Sequence, residues 1–473
     1  MKSGLLINNQ WIPGAGRLPV RNPFTGREIA EAPLGDAGQI REAIAAATAA
    51  FEFTRRQPAH QRATLLRAVA GGIGQRRAEF ARVLVEEVGK PIGFAEAEVA
   101  RAILTFEAAA EEARRPRGEL LALDAMPAGE SHFGLSQRFP LGVIAGVTPF
   151  NFPLNLVAHK VAPCIATGNT MVLKPAPKTP LSALLLAEVL VDAGLPPGQV
   201  NVVPCSNADA AVLTGDDRVK KISFTGSSTV GWALKAQCGK KRITLELGGN
   251  APVIVHEDAD VAAALGPIAM GAFGQAGQSC ISVQRVLVHE SRYGEVREGL
   301  TAVIREKIHT GDPADRRTVV GPLIDAQALS RSAGLIREAL EKGARLVAGG
   351  GIHGPCLEAT VLEDLPADCA LATEEAFAPI LTLHRYQTFE EAIALANATR
   401  YGLQAGVFTR DITRAMRAFD ALEFGGVLIN QVPTWRVETM PYGGIKDSGF
   451  GREGVRYAME EMTEPKSLIL NLH

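Results

Sequence analysis

From residue 141 onward, short apolar runs alternate with segments whose apolar residues recur every three or four positions. Strands that alternate with helices at these lengths favour a parallel, doubly wound α/β sheet. A second series of the same kind begins after Gly249 and runs to about Asn430. The predicted strands of the first series are residues 142–147, 170–173, 200–203, 222–224 and 243–247.

The length of the chain, 473 residues, exceeds what one hydrophobic core serves, so we expect two or three domains. Residues 36–114 are rich in Ala, Arg and Glu and are predicted to be helical. No GxGxxG sequence follows the first predicted strand of the α/β series. A dinucleotide-binding sheet here would therefore lack the common glycine fingerprint.

Charge and cysteine usage exclude several classes of protein. The formal net charge of −2 gives no reason to expect a nucleic acid or a membrane surface as partner. Six cysteines without a CxxC pair indicate neither a disulfide framework nor a metal site. Residues 1–16 lack the apolar core of a signal peptide, and no run of about 18 apolar residues occurs. We therefore expect a soluble cytoplasmic protein without a metal.

The candidate nucleophile is Cys280, which ends the stretch GQAGQSC. Glycines before a cysteine let the backbone approach a ligand and leave N–H groups free to donate. A partly exposed thiol near such dipoles has the setting of a catalytic nucleophile. On this stretch alone, a buried and inert cysteine is an equally good interpretation.

Two polar residues follow predicted strands. Asn151, between two prolines in TPFNFP, has a side-chain amide that can donate to a developing oxyanion, although an ordinary turn asparagine is the simpler interpretation. Lys174 directly follows the predicted strand 170–173, and ligands of doubly wound sheets bind at the carboxyl ends of strands. It can hold ribose hydroxyls or phosphate there, or it is a surface lysine.

Three more stretches carry chemical groups. FTGSSTVG, residues 224–231, has the order strand, glycine turn, helix start, which suits a pyrophosphate, although Ser227 is also explained as a simple N-cap. Glu246 lies in an apolar strand end, where burial raises a carboxyl pKa and favours a general base. Pairing with Lys240 or Lys241 is the alternative. By itself, EEAFAP (residues 374–379) is typical of a helix end or a solvated loop.

The motifs PFNFP, FTGSS, LELGG, GQSC, EEAFAP and PYGGIKDSGFGREG follow one another in this order. With all six, the chain resembles the NAD(P)-dependent aldehyde dehydrogenase superfamily from about Leu6 to the C-terminus. The resemblance implies an α/β protein of two doubly wound Rossmann-like domains with a small β oligomerisation element. It implies a dinucleotide-binding domain (1–112 and 135–246), a catalytic domain (247–454) and an oligomerisation element (113–134 and 455–473) that forms homodimers or homotetramers.

The resemblance also implies an activity, the oxidation of an aldehyde to a carboxylic acid. The cysteine matching Cys280 attacks the aldehyde, and a thioester forms after hydride transfer to NAD or NADP. The residue matching Glu246 activates the water that hydrolyses the thioester, and the amide matching Asn151 joins the Cys280 N–H in an oxyanion hole. Lys160 and Glu453 match positions that relay protons.

For the cofactor, the resemblance implies that Glu375 holds the nicotinamide ribose and that Phe377 lies beside the ring. Two positions depart from the family pattern. Pro177, followed by Lys178, stands where NAD-preferring members often have a Glu, and without that carboxylate a 2′-phosphate is not repelled, so we expect NADP to be accepted. Ala378 stands where Gly is usual. The full set of implied cofactor residues is Thr148, Pro149, Lys174, Ala176, Pro177, Gly226, Ser227, Val230, Glu246, Glu375 and Phe377.

The substrate is expected to be a small aldehyde, and an anionic one if His159, Arg101 and Arg436 face it, because arginine binds anions bidentately. Alternatively, both arginines are structural and His159 merely packs. The predicted substrate residues are Phe150, His159, Arg101, Ser279, Ile281, Trp435 and Arg436.

Two other functions remain open from the sequence. A CoA-acylating dehydrogenase ends with thioester transfer, but such relatives usually lack the general-base Glu, so Glu246 argues against it. A catalytically silent binding protein on the same scaffold has no physical need for Cys280, Glu246 and Asn151 together.

Overall fold

The computed structural model describes residue 2, residues 4–115 and residues 118–473. Two large sheets dominate it, and helices that bury their apolar faces cover the sheets. This confirms the predicted α/β class. The helices are Ala37–Thr54, Ala59–Gln75, Arg77–Val88, Ile92–Glu112, Asn155–Thr167, Leu181–Asp192, Ala211–Gly215, Ser228–Gln237, Val261–Phe273, Tyr293–Lys307, Ala326–Glu341, Ala370–Thr373, Phe389–Asn397, Ile412–Ala421 and Val455–Glu461.

The first sheet has a parallel centre of five strands, which match the five predicted from the sequence. The chain reverses its order across the sheet between Val143–Val147 and Val219–Thr225, which is where a doubly wound sheet opens a crevice for a ligand. In spatial order the strands are Gln10–Ile12, Leu5–Ile7, Val200–Val202, Thr170–Lys174, Val143–Val147, Val219–Thr225, Arg242–Glu246 and Gly449–Phe450.

The second sheet has six parallel strands and one antiparallel edge strand, Arg345–Ala348. Its central strands are wholly buried and rich in Val, Ile and Leu, as expected of a parallel sheet covered on both faces. In spatial order the strands are Arg345–Ala348, Thr360–Glu363, Ile380–Tyr386, Val283–His289, Ala251–Val255, Gln404–Phe408 and Gly426–Ile429.

A third, antiparallel sheet joins Gly118–Leu121, His132–Pro140 and Thr463–Asn471. The predicted oligomerisation element includes Pro116 and Arg117, which lie outside the described residues. The domain boundaries remain predictions. Two-stranded pairings also occur, between Gly16–Arg21 and Glu28–Leu34, His309–Thr310 and Thr318–Val320, Ile352–His353 and Cys356–Leu357, and Tyr401–Gly402 and Ile445–Lys446.

The helix Val455–Glu461 packs against Asn155–Thr167, so part of the last segment belongs to the core of the first sheet. Within the described part of the chain, none of the helices is both long and apolar enough to cross a membrane.

The two large sheets meet end to end. Thr225 and Glu246 are paired at the carboxyl ends of their strands, so their side chains and the loops after them share one edge of the first sheet. Ala251 and Val283 are paired at the beginning of their strands, so the segment that carries Cys280 enters the second sheet next to the LELGG turn. The predicted catalytic residues are thereby gathered between the sheets.

Candidate active site

A cavity of about 900 Å³ lies between the two sheets. Cys280, Glu246 and Asn151 line it, whereas Lys160 and Glu453 lie outside its lining. All seven predicted substrate residues line it: Phe150, His159, Arg101, Ser279, Ile281, Trp435 and Arg436. Of the predicted cofactor residues, the lining includes Pro149, Gly226, Ser227, Glu246, Glu375 and Phe377, and it leaves out Thr148, Lys174, Ala176, Pro177 and Val230.

The backbone before Cys280 adopts an unusual conformation. Gln275, Ala276 and Gly277 have φ angles of 55°, 56° and 64°. A left-handed non-glycine residue costs of order 1 kcal/mol, so this segment is held in place by its surroundings. A Cβ on Gly277 would lie 2.2 Å from the carbonyl oxygen of Ala378, so only glycine fits there.

Asn151 ties the loop after the strand Val143–Val147 to the cysteine segment. Its side-chain Nδ2 donates to the backbone carbonyl of Gln278 at 2.9 Å, and its backbone carbonyl accepts from Gln275 Nε2 at 2.5 Å. These bonds fix the amide beside the Cys280 segment. Since Nδ2 carries two hydrogens, one remains after the bond to Gln278.

The thiol of Cys280 has a hydrogen-bonding neighbour, Tyr442, that favours its ionisation. Its Sγ lies 3.4 Å from Tyr442 Oη. Burial raises the pKa of the Cys280 thiol to about 12, and the Tyr442 hydrogen bond opposes that rise, while the carboxylates of Glu375 and Glu246 add to it. The resting sulfur is therefore protonated, and attack requires a base to take its proton.

Glu246, the predicted base of hydrolysis, is buried and unpaired in the described part of the chain. It ends the strand Arg242–Glu246, it is 2% exposed, and among the described residues neither carboxylate oxygen has a hydrogen-bond partner. Burial, reinforced by the negative charge of Glu453, raises the pKa of Glu246 well above its ordinary value. Lys240 and Lys241 are not its partners, and an unpaired buried carboxylate is the arrangement expected of a general base.

Lys160 and Glu453 form a buried ion pair behind Glu246. Lys160 Nζ lies 2.9 Å from Glu453 Oε1 and also donates to Thr225 Oγ1 at 2.8 Å and Ser223 Oγ at 3.2 Å. Burial acts to raise the pKa of Glu453, but Lys160 and then His159 outweigh it and hold that pKa well below its ordinary value. Lys160 and His159 thus favour the ionised form of Glu453, and its negative charge raises the pKa of Glu246.

The helix Asn155–Thr167 carries both His159 and Lys160, and its start is fixed by Glu98. Glu98 Oε1 accepts from the backbone N–H of Leu154 and Asn155, each at 3.0 Å. A carboxylate at a helix N-terminus interacts favourably with the helix dipole. The orientation of this helix directs His159 into the cavity and Lys160 towards Glu453.

Glu438 connects His159 to Arg101. Its Oε2 lies 2.6 Å from His159 Nε2, and its Oε1 accepts from Arg101 Nε at 3.2 Å and Nη2 at 3.0 Å. Burial acts to raise the pKa of Glu438, but His159, Arg436 and Arg101 together hold it well below its ordinary value. One carboxylate is therefore shared by several cationic groups.

Arg436 lies on the other side of His159. Its Nη2 is 3.2 Å from His159 Nδ1, and its guanidinium carbon lies 3.7 Å from the centroid of the Tyr442 ring. In the described structure Arg436 Nε is buried and has no hydrogen-bond partner. That N–H points to a polar ligand that would satisfy it.

The comparisons with known proteins agree with this geometry. A model of the aldehyde dehydrogenase family matches residues 11–468. The chain belongs to the aldehyde dehydrogenase family. Its activity is the oxidation of an aldehyde with NAD or NADP, as the resemblance of the motifs implied.

Several relatives of this aldehyde dehydrogenase are similar over almost their whole length. A 3-sulfolactaldehyde dehydrogenase from Priestia aryabhattai is 39% identical over 470 residues, covering 99% of this chain and 98% of the relative. The NADP(+)-dependent succinate-semialdehyde dehydrogenase of Escherichia coli is 40% identical over 476 residues, covering 99% and 97%. Aldehyde dehydrogenase 21 from Physcomitrella patens, crystallised with the reaction product succinate, is 42% identical with a TM-score of 0.96, covering 99% and 98%.

The carboxyl edge of the first sheet, here called the dinucleotide end, has features that fit the cofactor. Ser227 precedes the helix Ser228–Gln237 and makes no side-chain cap bond, so the first-turn N–H groups are not satisfied by it. A Cβ on Gly226 would lie 2.5 Å from the Phe224 ring, which explains the glycine. Thr148 is buried and bonds through its N–H to the Lys174 carbonyl, while Val230 is 49% exposed.

Glu375 and Phe377 lie where the second sheet meets this end. Glu375 Oε1 accepts from the Gly249 N–H at 3.1 Å, and a Cβ on Gly248 would lie 2.3 Å from Oε2. Burial raises the pKa of Glu375 to about 7. Phe377, with φ 48°, stacks edge-on against Phe150 at 5.9 Å, and Ala378 avoids the left-handed region, so its Cβ is accommodated.

Sequence reasoning missed two residues of the site. Tyr442 lay inside the quoted motif PYGGIKDSGFGREG, and an aromatic hydroxyl in a glycine-rich loop was the available signal. Glu438, in RVETM, gave no signal, because its role depends on Arg101, which is far away in the chain.

Proposed function

We propose that this dehydrogenase oxidises a small anionic aldehyde, with Cys280 as nucleophile, Asn151 as oxyanion donor and Glu246 as the base of hydrolysis. The observation that carries the proposal is the placement of Arg436 and Arg101 in the same cavity as Cys280, with Arg436 Nε unsatisfied. Arginine binds carboxylate, sulfonate or phosphate bidentately. The relatives named for sulfolactaldehyde and succinate semialdehyde support this substrate class.

In the proposed reaction, the Cys280 thiol releases its proton to solvent and the sulfur attacks the aldehyde carbon. The Asn151 amide and the Cys280 N–H hold the oxygen that becomes negatively charged. NAD or NADP, when bound, would supply the acceptor for the hydride of the former aldehyde carbon. Glu246 then takes a proton from water, the hydroxide adds to the thioester, and the C–S bond breaks with its electron pair returning to sulfur.

The dinucleotide fits the residues at the carboxyl edge of the first sheet. Glu375 and Phe377 would hold the nicotinamide ribose and ring, and Gly226 and Ser227 the pyrophosphate. Lys174, whose Nζ lies 3.0 Å from Asn207 Oδ1, would meet the adenine ribose with Ala176, Pro177, Thr148, Pro149 and Val230 beside it. Lys160 and Glu453 would exchange protons with Glu246.

The anion proposal is tested by the ratio of kcat/KM for succinate semialdehyde to that for butanal. Replacing Arg436 with Met should lower this ratio about 10- to 100-fold, because a charge-assisted hydrogen bond to the anion is lost. The matched control is Arg331→Met, another arginine of the cavity, which donates to the carbonyls of Ala376 and Glu375 at the dinucleotide end. It should leave the ratio unchanged.

A ratio unaffected in Arg436→Met would favour a second candidate, a neutral hydroxyaldehyde. One observation supports that candidate: Glu438 already pairs with the positive charge of Arg101. A lactaldehyde dehydrogenase from Methanococcus aeolicus is 37% identical over 476 residues, covering 99% of this chain and 100% of that protein.

We also propose that NADP is accepted, because Pro177 presents no carboxylate to a 2′-phosphate. Lys178 is exposed and pairs with Asp325. Pro177→Glu should raise KM for NADP at least about tenfold through charge repulsion and leave KM for NAD nearly unchanged. Pro177→Gln has the same size without the charge and serves as control, and an equal rise in both variants would refute the charge argument.

We also propose that the protein assembles into dimers or tetramers and that it is located in the cytoplasm. The strand Thr463–Asn471 exposes Leu468, Ile469 and Leu470, an apolar edge that a second copy would cover. All six cysteines are free thiols in the described chain, as in a reducing compartment. Sedimentation of the wild type and of Ile469→Glu distinguishes a monomer from an assembly that this strand holds together.

A further inference from the structure

The hydroxyl of Tyr442 contacts the catalytic sulfur. Tyr442 Oη lies 3.4 Å from Cys280 Sγ, and the tyrosine is 4% exposed. In the described part of the chain, this sulfur is the hydroxyl's hydrogen-bond partner. A buried hydroxyl normally has a partner, so the contact is a specific interaction of the site.

Three independent contacts fix the tyrosine. The backbones of Tyr442 and Glu453 form a β-bridge, with hydrogen bonds of 3.0 and 2.6 Å. The ring packs in a small apolar cluster with Ile281 and Leu403, against which Cys280 also lies. The Arg436 guanidinium covers the ring at 3.7 Å.

We propose that Tyr442 is a further catalytic residue that donates its O–H to the Cys280 sulfur and stabilises the thiolate. This inference rests on the proposed role of Cys280 as nucleophile. The hydrogen bond acts twice, when the sulfur attacks the aldehyde and when it leaves the acyl group during hydrolysis.

The direction of the effect follows from the chemistry of the two groups. A neutral thiol can donate or accept, whereas a thiolate can only accept, so a fixed O–H donor favours the charged form and lowers the pKa of the thiol. Burial raises the pKa of Tyr442 well above 10, and the negative charge of an ionised Cys280 raises it further. The phenol therefore keeps its proton and acts as the hydrogen-bond donor to the sulfur.

The charges around the sulfur make this donor necessary. Glu375, from the loop before the strand Ile380–Tyr386, and Glu246, at the end of Arg242–Glu246, both oppose a thiolate. Arg436, in the segment that leads to Tyr442, favours the thiolate, but its guanidinium lies over the Tyr442 ring. A cation on the ring face is attracted to the ring electrons and helps to hold the ring in place.

The test is the pH dependence of the alkylation of Cys280 by iodoacetamide in Tyr442→Phe, followed by mass spectrometry of the Cys280 peptide. We expect the log-rate profile to move to higher pH by about 1–2 units, because a hydrogen bond to a charged group is lost. At a fixed pH near 8 this is a fall of about 10- to 100-fold. Tyr457→Phe, the same change nearby in the helix Val455–Glu461, is the matched control and should keep the wild-type profile.

A Tyr442→Phe profile that superimposes on that of the wild type would overturn the inference. Incorporation of 3-fluorotyrosine at position 442 covers the case in which Tyr442→Phe does not fold. This residue is a stronger donor of nearly the same size and should move the profile to lower pH, and an unmoved profile would again overturn the inference. Turnover retained in Cys280→Ser would instead refute the proposed function itself.

Discussion

Two neighbouring regions, one that lines the cavity and one behind it, are opposite in the pairing of their groups. In the first, which contains Cys280 and Glu246, the carboxylate has no hydrogen-bond partner among the described residues and the thiol has one weak contact. In the second, which contains Lys160, Glu453 and Glu438, the buried charges are ion-paired. Burial raises the pKa of Glu246, whereas partners hold that of Glu453 low. Burial therefore produces either a reactive or a fixed group, depending on whether a partner is supplied.

Glu246→Gln should have the largest effect, because it removes the unpaired base while keeping the shape. Hydrolysis should slow about 10²- to 10⁴-fold, while the attack and oxidation that produce the first equivalent of reduced dinucleotide continue. Rapid mixing should therefore show a burst of absorbance followed by a slow steady state. Mass spectrometry should find the acyl group on Cys280, and its absence would contradict the assignment of the base.

Lys160→Met should have the next largest effect, on stability. It leaves Glu453 buried without its principal partner, and breaking a buried pair costs about 3–5 kcal/mol. Urea unfolding of the wild type and the variant measures the loss. The double variant Lys160→Met, Glu453→Gln removes both charges and should recover part of it. If Lys160→Met were as stable to urea as the wild type, the Lys160–Glu453 ion pair would contribute nothing to the free energy of unfolding.

Glu438→Gln should have a smaller effect, on substrate affinity. Glutamine can still accept from Arg101, but it removes one negative charge from the cavity wall, so KM for an anionic aldehyde should fall several-fold. KM for a neutral aldehyde of the same length should not change. A rise in KM for the anionic substrate would mean that the carboxylate serves to hold Arg101 and His159 in position.

The smallest effect is a difference in the pH dependence of stability between the two carboxylates. The pKa of Glu246 is raised in the folded state. Its contribution to the free energy of unfolding is therefore fully present below the pKa that Glu246 has in the unfolded chain, and it is lost as the pH rises through the pKa of the folded state. The pKa of Glu453 is lowered in the folded state, so its contribution to the free energy of unfolding is lost as the pH falls. Glu246→Gln should therefore gain stability over the wild type as pH increases, and Glu453→Gln should lose stability at neutral pH.

Much of the fold could be predicted because it depends on local patterns. The strands 142–147, 170–173 and 243–247 were visible as apolar runs between helical segments, and the structure has them in a parallel sheet. Short motifs likewise identified candidate site residues, such as Cys280 in GQSC and Glu246 in LELGG. Both residues line one cavity in the structure. Spacing along the chain carries this information directly.

The partners of those residues could not be predicted in this way. Glu246 was weighed against pairing with Lys240 or Lys241, its neighbours in sequence, and the structure separates it from both. The sequence leaves open whether Arg101 faces the substrate or is structural. In the structure it lines the cavity while donating to Glu438, which lies in a distant part of the chain. Neither outcome follows from periodicity.

The sequence by itself determined the α/β architecture and the family, and it selected Cys280 and Glu246 as the candidate nucleophile and base, because motif order and hydrophobic pattern are properties of the chain. Only the tertiary structure decided which charged groups are paired and which are left unpaired. A pKa depends on burial and on charges within a few ångströms, and those neighbours come from segments far apart in sequence. The contact between Tyr442 and Cys280 is of this kind, since it exists only after both sheets have brought their loops together.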